Sequence, residues 1–172
     1  LMMMGYKVAA PIVAGNASLI KVPEQATFTL IRVLQILHDV LPTDLVHFVT
    51  GTGEVTGAAL VADRNVAKVS FTGSVETGRS VYEASAKLIR PVTLELGGKS
   101  PMIVLADCNL DKAVNGIVQS MRFTRGGQSC TAASRVFVPV GQMADVRSRL
   151  ARQLDEVLIG DAIDPATQCG PL

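Results

Sequence analysis

Two short segments of the sequence hold a carboxylate and a thiol in settings that suit catalysis. Residues 94–101 read LELGGKSP, so Glu95 interrupts an apolar strand pattern directly before two glycines. Residues 123–130 read FTRGGQSC, so Cys130 follows a polar segment that contains a glycine pair. No histidine lies near either residue in the sequence. This pattern indicates a thiol nucleophile paired with a carboxylate base.

Each of these residues also has an ordinary interpretation. Free cysteines mostly pack as small apolar side chains, and glutamates at strand ends are mostly solvated. Against this, the glycine pair before Cys130 predicts an exposed turn whose backbone N–H groups point at whatever the thiol binds. Glu95 would be partly desolvated in the last strand of a covered sheet, which raises the pKa of a carboxyl group toward neutrality. From local sequence alone, both interpretations stay open.

Strands and helices alternate through the first part of the chain. This alternation with short links predicts an α/β fold with a doubly wound, Rossmann-like parallel sheet, whose ligands bind at the carboxyl ends of the strands. The strands are predicted at residues 18–22, 45–49, 66–71 and 91–96, and the helices at 27–40, 55–62 and 75–88.

The pattern changes after a glycine pair at residues 97–98. Paired glycines let a chain change direction, so we place a domain boundary there. Residues 1–98 form one predicted domain, and residues 99–172 form the start of a second α/β domain. In the second domain, strands are predicted at 101–105 and 135–139, and amphipathic helices at 109–121 and 145–158.

Three other features at strand ends suit a nucleotide. Residues 73–78, GSVETG, open a helix after a strand, which is a setting for binding a phosphate. Residues 51–57, GTGEVTG, are one residue too long for the dinucleotide fingerprint. Lys21 and Glu24 lie at the end of the first strand. A glutamate there can accept hydrogen bonds from ribose hydroxyls and repels a 2′-phosphate. Taken singly, each feature is more typical of ordinary turns and surface charges.

Composition limits the partners and the compartment. The chain has 172 residues, of which 48% are hydrophobic and 18% charged, and its formal net charge is +1. These values are typical of a globular domain and do not indicate nucleic acid or a membrane surface as a partner. Three cysteines argue against a disulfide framework and for a reducing compartment, and no Cys/His spacing suits a metal. Cys108 and Cys169 are interpreted as structural.

The first residues of the chain are mainly apolar. Lys7 and Pro11 interrupt residues 1–14, and the run is too short to cross a bilayer. We therefore predict a buried helix, ended at Gly15 and Asn16. The chain starts at Leu1 without an initiator methionine, so we expect a fragment of a longer protein.

Taken together, these segments resemble the aldehyde dehydrogenase superfamily over essentially the whole chain. Residues 94–101 resemble its glutamate signature, and residues 123–130, continuing to Arg135, resemble its cysteine signature. Residues 21–24, KVPE, resemble its ribose-binding Lys-x-x-Glu motif, and residues 71–78, FTGSVETG, resemble its pyrophosphate turn. The four motifs occur in the order in which the family has them.

The resemblance implies an NAD(P)-dependent enzyme of the hydrolytic type. Cys130 would attack the aldehyde and become a thioester, with its backbone N–H holding the oxyanion, and Glu95 would activate the water that releases the acid. Glu24 would favour NAD, with NADP as the alternative cofactor. The cofactor contacts implied are Lys21, Glu24, Gly51, Gly73, Ser74 and Leu96.

The resemblance has gaps, and two alternatives stay open. The family's oxyanion Asn would precede Leu1, its second Glu would follow Leu172, and Gly126 stands where a larger polar residue is frequent.

The alternatives are an inactive fragment or nucleotide-binding relative, and a coenzyme A-acylating enzyme, against which Glu95 weighs. The implied partner is a small aldehyde that the sequence does not identify. A cytoplasmic homodimer or homotetramer is expected for the full-length protein.

Overall fold

The computed structural model describes residues 2–42 and 44–171, which divide into two compact units, residues 1–95 and 96–172. Helices alternate with strands in both units, which confirms the predicted α/β class. The division falls just before the glycine pair at residues 97–98, and the domain boundary placed there stays a prediction.

The elements of the first unit follow the predicted order. β1 pairs with β2 in parallel, with Lys21 opposite Val49, and β3 pairs with β4. Residues 53–57 form one turn of π-helix that runs directly into α3. The bounds are α1 Met2–Val13, β1 Ser18–Lys21, α2 Thr27–Val40, β2 Val46–Val49, α3 Ala58–Ala62, β3 Val69–Gly73, α4 Val75–Ala86 and β4 Val92–Leu96.

The third strand begins later than the sequence pattern predicted. Residue 66 was the expected start, whereas β3 begins at Val69. The reason is a local turn in which the carboxylate of Asp63 accepts a hydrogen bond from the N–H of Asn65 at 2.8 Å, and the carbonyl of Asp63 accepts one from Val66 at 3.3 Å. Such an Asx turn satisfies the backbone without a sheet partner, so the strand starts only after it.

The core of the first unit lies between helix stripes and the first strand pair. Val8, Val22, Leu34 and Val46 are buried together. Leu34 belongs to an apolar stripe of α2, and the bounds of that helix are those expected from the sequence. The stripe buries one face of α2, as an amphipathic helix on a sheet must.

The structure corrects the prediction that α1 is buried. Met4, Val8 and Ile12, one helical turn apart, pack on the core, whereas Tyr6 and Val13 on the other faces are exposed. The helix therefore has one buried stripe despite its high apolar content. It ends as predicted, because Gly15 adopts a left-handed φ of 78° and the N–H groups of residues 15 and 16 bond back to the last turn. None of the described helices is both long and apolar enough to cross a membrane.

A buried guanidinium closes one corner of the first unit. Arg90, two residues before β4, donates to the carbonyls of Asp63 at 3.0 Å, Val66 at 2.9 Å and also Val61. It also donates to the hydroxyl of Ser85 at 3.3 Å. The loop between α3 and β3 is thereby joined to the end of α4. Burying a charge is costly unless it is hydrogen-bonded, and here neutral oxygens supply the bonds.

The second unit has its own core and its own ion-pair cluster. Val104, Val114, Ile117 and Val146 are buried where α5 and α6 pack beside a parallel strand pair. Arg149 on α6 forms a bidentate pair with Asp145, with nitrogen–oxygen distances of 2.8 and 3.3 Å, and also donates to Asp111 on α5. The bounds are β5 Pro101–Ile103, α5 Leu110–Ser120, β6 Arg135–Phe137 and α6 Met143–Asp155.

Acid should weaken the ion-pair cluster around Arg149, because it protonates the carboxylate of Asp145. Hydrogen bonds from Arg149 hold the pKa of Asp145 below its ordinary value, so the carboxylate stabilises the fold above its unfolded-state pKa, about 3.9. That contribution is lost as the pH falls through the lower, folded-state pKa. Asp145→Asn should therefore melt below wild type near pH 7, and the difference should vanish near about pH 2.

Thermal unfolding followed by circular dichroism across this pH range checks the expectation. Asp155→Asn, at the exposed end of the same helix, is the matched control, since no ion pair involves Asp155 among the described residues. A difference between Asp145→Asn and wild type that does not change with pH would contradict the linkage.

Candidate active site and nucleotide site

Glu24 joins the ends of the first two strands. Lys21, the last residue of β1, donates to one carboxylate oxygen of Glu24 at 2.9 Å. The N–H of Gly53, in the turn after β2, donates to the other oxygen at 2.9 Å. The hydrogen bond from Lys21, followed by backbone N–H donors, holds the pKa of Glu24 below its usual range. A carboxylate at this edge therefore remains ionised and anchored near neutral pH.

The glycine turn after β2 is tighter than its sequence suggested. Gly51 has a φ of 129°, and a Cβ placed there would lie 2.0 Å from the hydroxyl oxygen of Thr56. Thr52 caps the π-helical turn by accepting a hydrogen bond from the N–H of Val55 at 3.3 Å. Single π-turns are often found at functional sites. The family resemblance implied a cofactor contact at Gly51 and none at Gly53, although Gly53 makes the contact with Glu24.

Gly73 and Ser74 lie where β3 passes into α4. The hydroxyl of Ser74 accepts a hydrogen bond from the N–H of Thr77 at 3.1 Å and donates to the hydroxyl of Thr77 at 2.9 Å. A Cβ at Gly73 would lie 2.5 Å from the ring of Phe71, so the backbone there is closely covered on one side. The helix that follows has 12 residues, and its first N–H groups have no partner within the helix. This is the arrangement in which helices bind anions.

Glu95 and Leu96 are the last two residues of β4. Burial alternates along this strand, so Val92, Leu94 and Leu96 lie on the half-buried face and Glu95 on the exposed one. The prediction that Glu95 is partly desolvated is therefore wrong. The two-residue period of the strand assigns Glu95 to the opposite face from its apolar neighbours, and Glu95 is exposed on that face within the described part of the chain.

Lys7 is a residue that the sequence analysis did not connect with the site. Its ammonium donates to the hydroxyl of Ser70 on β3 at 2.8 Å. Burial lowers the pKa of Lys7, while the negative charge of Glu95 acts in the opposite direction, which means that the two charges are near each other. The only signal in the sequence was a single cation in an otherwise apolar helix, and nothing local to it points to Glu95.

Cys130 lies in an irregular loop of the second unit. Left-handed φ values of 60° at Arg122, 56° at Gly126 and 71° at Gly127 turn the chain after α5. The side chain of Cys130 is exposed, and within the described residues its N–H group donates to no protein acceptor. After Cys130 the buried alanines at 132 and 133 anchor the chain, where the N–H of residue 133 donates to the carbonyl of Ser120 at 3.1 Å. An exposed thiol beside a free N–H suits covalent chemistry at a carbonyl.

The structure brings Lys21, Glu24 and the turn after Gly51 together within the first unit. Glu95 belongs to the first unit and Cys130 to the second, so their pairing stays a prediction. Within residues 2–42 and 44–171, no three His, Cys, Asp or Glu side chains form a group that could hold a metal ion.

The order of these segments agrees with a known family. The model of the aldehyde dehydrogenase family matches residues 1–172. This chain belongs to the aldehyde dehydrogenase family. A betaine aldehyde dehydrogenase from Cereibacter sphaeroides is 45% identical over 168 residues, which cover 97% of this chain and 34% of that protein. A phenylacetaldehyde dehydrogenase from Pseudomonas fluorescens is 39% identical over 173 residues, covering 100% of this chain and 34% of that protein.

The solved structures of this family also share the fold. A betaine aldehyde dehydrogenase double mutant from Staphylococcus aureus, in complex with NAD+, has a TM-score of 0.93 at 28% identity, and the match covers 98% of this chain and 34% of that one. The predicted superfamily and α/β fold are thus confirmed. This aldehyde dehydrogenase chain spans about a third of the length of the relatives that it matches.

Replacing Gly51 tests the tight turn. Gly51→Ala should destabilise the chain by about 1–3 kcal/mol, because the alanine would have to adopt the left-handed φ of Gly51 and its Cβ would collide with the side chain of Thr56. Gly53→Ala is the matched control, because a Cβ there meets nothing within 4 Å and the N–H that bonds Glu24 is retained. Urea unfolding of both variants measures the difference, and equal losses would contradict the assignment of strain to Gly51.

Proposed function

We propose that the complete protein containing this chain is an NAD-dependent aldehyde dehydrogenase that oxidises an aldehyde to its carboxylic acid. The observation that supports this best is Cys130, an exposed thiol with a free backbone N–H on a turned loop of an aldehyde dehydrogenase chain. The names of the relatives add support, since those proteins act on betaine aldehyde and phenylacetaldehyde. Which aldehyde this protein uses is left to a substrate screen.

The first step uses Cys130. The thiol first loses its proton to water, so that the thiolate is the nucleophile. The sulfur then forms a bond to the carbonyl carbon, and the displaced electron pair moves to the oxygen, where the N–H of residue 130 donates a hydrogen bond. Bound NAD+ supplies the acceptor for the hydride that leaves the same carbon. Cys130 is then left as a thioester, with the substrate carbon oxidised by two electrons. An N–H donor that is already in place stabilises the negative charge without reorganisation.

The second step uses Glu95. Its carboxylate takes a proton from water, the resulting hydroxide attacks the thioester carbon, and the carbon–sulfur bond breaks. The acid leaves, and the proton held by Glu95 passes to the departing sulfur, so that Cys130 regains its thiol. General-base assistance of this kind is worth roughly 10²–10⁴ in rate. The exposure of Glu95 within its unit agrees with a base that must reach water.

Glu24 and its partners are proposed to hold the adenosine ribose. The carboxylate is ionised and held in place by Lys21 and Gly53. It can therefore accept hydrogen bonds from the ribose hydroxyls and would repel a 2′-phosphate. The start of α4, with Gly73 and Ser74, is proposed for the pyrophosphate, because its free N–H groups suit an anion. By the family resemblance, the turn at Gly51 is placed at the adenine end, and Leu96 is a further cofactor contact.

Two further assignments belong to the proposal. We place the protein in the cytoplasm, because all three cysteines are free, as is usual in a reducing compartment. We also propose a homodimer or homotetramer of the complete protein, which rests on family membership. Release of the acyl group to coenzyme A is the second candidate reaction, and product analysis with and without coenzyme A separates it from hydrolysis.

Substitution of the two reacting groups tests the mechanism. In the complete product of the gene, Cys130→Ala should form no NADH from NAD+ and aldehyde, whereas Cys108→Ala, at a half-buried thiol, should remain active. Glu95→Gln should give a first turnover of NADH and then a steady rate lower by about 10²–10⁴. Stopped-flow absorbance follows both phases. Undiminished activity of Cys130→Ala would overturn the proposal.

The choice of cofactor depends on the charge at Glu24. Glu24→Gln should reduce the preference for NAD+ over NADP+ by about tenfold, or about 1.4 kcal/mol, because the repulsion of the 2′-phosphate is removed. Glu54→Gln alters a second exposed carboxylate in the neighbouring turn and serves as the control. The ratio of kcat/KM for the two cofactors measures the effect. An equal change in both variants would show a general charge effect in place of ribose recognition.

A further inference from the structure

The structure assigns Arg135 a positioning role: it fixes the chain that leaves the Glu95 strand to the strand that follows Cys130. This inference rests on the proposed function, since it concerns the two residues that act in the proposed reaction. Arg135 itself touches neither reacting group in the described contacts. Its contribution would be made through the backbone to which it is bonded.

Two hydrogen bonds from Arg135 reach the same short segment. Its side-chain Nε donates to the carbonyl of Lys99 at 2.8 Å, and its backbone N–H donates to the carbonyl of Ser100 at 3.4 Å. Arg135 is also the first residue of β6, in register with Pro101 of β5. The guanidinium carbon lies 5.8 Å from the centre of the Phe137 ring, two residues further on, which restrains the side chain.

The chain that Arg135 holds has few other restraints. Gly97 and Gly98 take part in no hydrogen bond among the described residues, and a Cβ at either position would have nothing within 4 Å. Glycine also has the greatest backbone freedom of any residue. The bonds to Lys99 and Ser100 are therefore the first fixed points after β4 ends. They lie shortly after Glu95 in the chain, and in the same unit as Cys130.

The chain between Cys130 and Arg135 is anchored by contacts of its own. Ala132 and Ala133 are buried, and the N–H of Ala133 bonds to the end of α5 at Ser120. Arg135 thus connects this anchored strand to the segment directly after the glycine pair. Loss of the side-chain bond would remove the fixed point at Lys99 and give the glycine segment that follows Glu95 more freedom, while leaving the Cys130 loop held by its own contacts.

This asymmetry predicts which step suffers. Attack by Cys130 depends on its own loop, whereas hydrolysis of the thioester also needs Glu95 in place. Small misplacements of a catalytic group cost up to about 10²-fold in rate. Arg135→Met should therefore lower the steady rate of NADH formation per active site about tenfold, with a much smaller effect on the first turnover. Arg135→Lys, which can still donate to Lys99, should recover most of the rate.

The experiment compares the two phases in the complete product of the gene. Stopped-flow absorbance with NAD+ and aldehyde gives the burst amplitude, the burst rate and the steady rate, each divided by the amount of titratable Cys130. Arg149→Met is the matched control, because it removes a surface arginine of the same unit that bonds only α5 and α6. A purely structural effect would lower the burst amplitude and leave both rates per site unchanged.

The outcomes separate the inference from the proposed function. A selective loss of the steady rate in Arg135→Met, rescued by Arg135→Lys and absent from Arg149→Met, would support the positioning role. Equal losses in both phases, or no loss per active site, would reject it and leave the proposed function standing. A wild-type protein that forms no NADH from any aldehyde would reject both. If the methionine variant does not fold, Arg135→Gln replaces it in the same comparison.

Discussion

Parallel pairing of β1 with β2 is the constraint on which the proposed nucleotide site of this chain depends. The register places Lys21 opposite Val49, so the residues that follow both strands emerge side by side. Glu24 can then bond Lys21 and Gly53 at once, although the two segments are separated by the whole of α2. A helical crossover is what parallel pairing requires, and the buried stripe of α2 packs that crossover onto the strands.

Much of this arrangement could be read from the sequence, because the signals were local. The bounds of α2 follow from its apolar period, the end of α1 from Gly15, and the start of α4 from the turn at residues 73–74. Each of these depends on residues within one or two turns. Where a short-range alternative existed, as in the Asx turn at Asp63, the strand pattern gave the wrong starting residue.

The features that the sequence did not give depend on distant neighbours. The exposure of Glu95 was predicted incorrectly, since the pattern of β4 shows which residues share a face but not which face is covered. The nearness of Lys7 to Glu95, and the bond from Gly53 to Glu24, each join segments far apart in the chain. In the second unit, the glycine pair before Cys130 predicted a turn, but its left-handed φ values and the unused N–H required the structure.

The two arginine clusters of this chain differ in what their partners are. Arg149 is held by carboxylates, which lose their charge in acid, whereas Arg90 is held by carbonyls and a hydroxyl, which do not titrate. Guanidinium groups keep their charge at any pH that a cell meets. The bonds from Arg90 to the corner formed by Val61, Asp63, Val66 and Ser85 therefore do not depend on the protonation of their acceptors. Acid that protonates Asp145 weakens a bond within the second unit, whereas these bonds between the loop after α3 and the end of α4 stay in place.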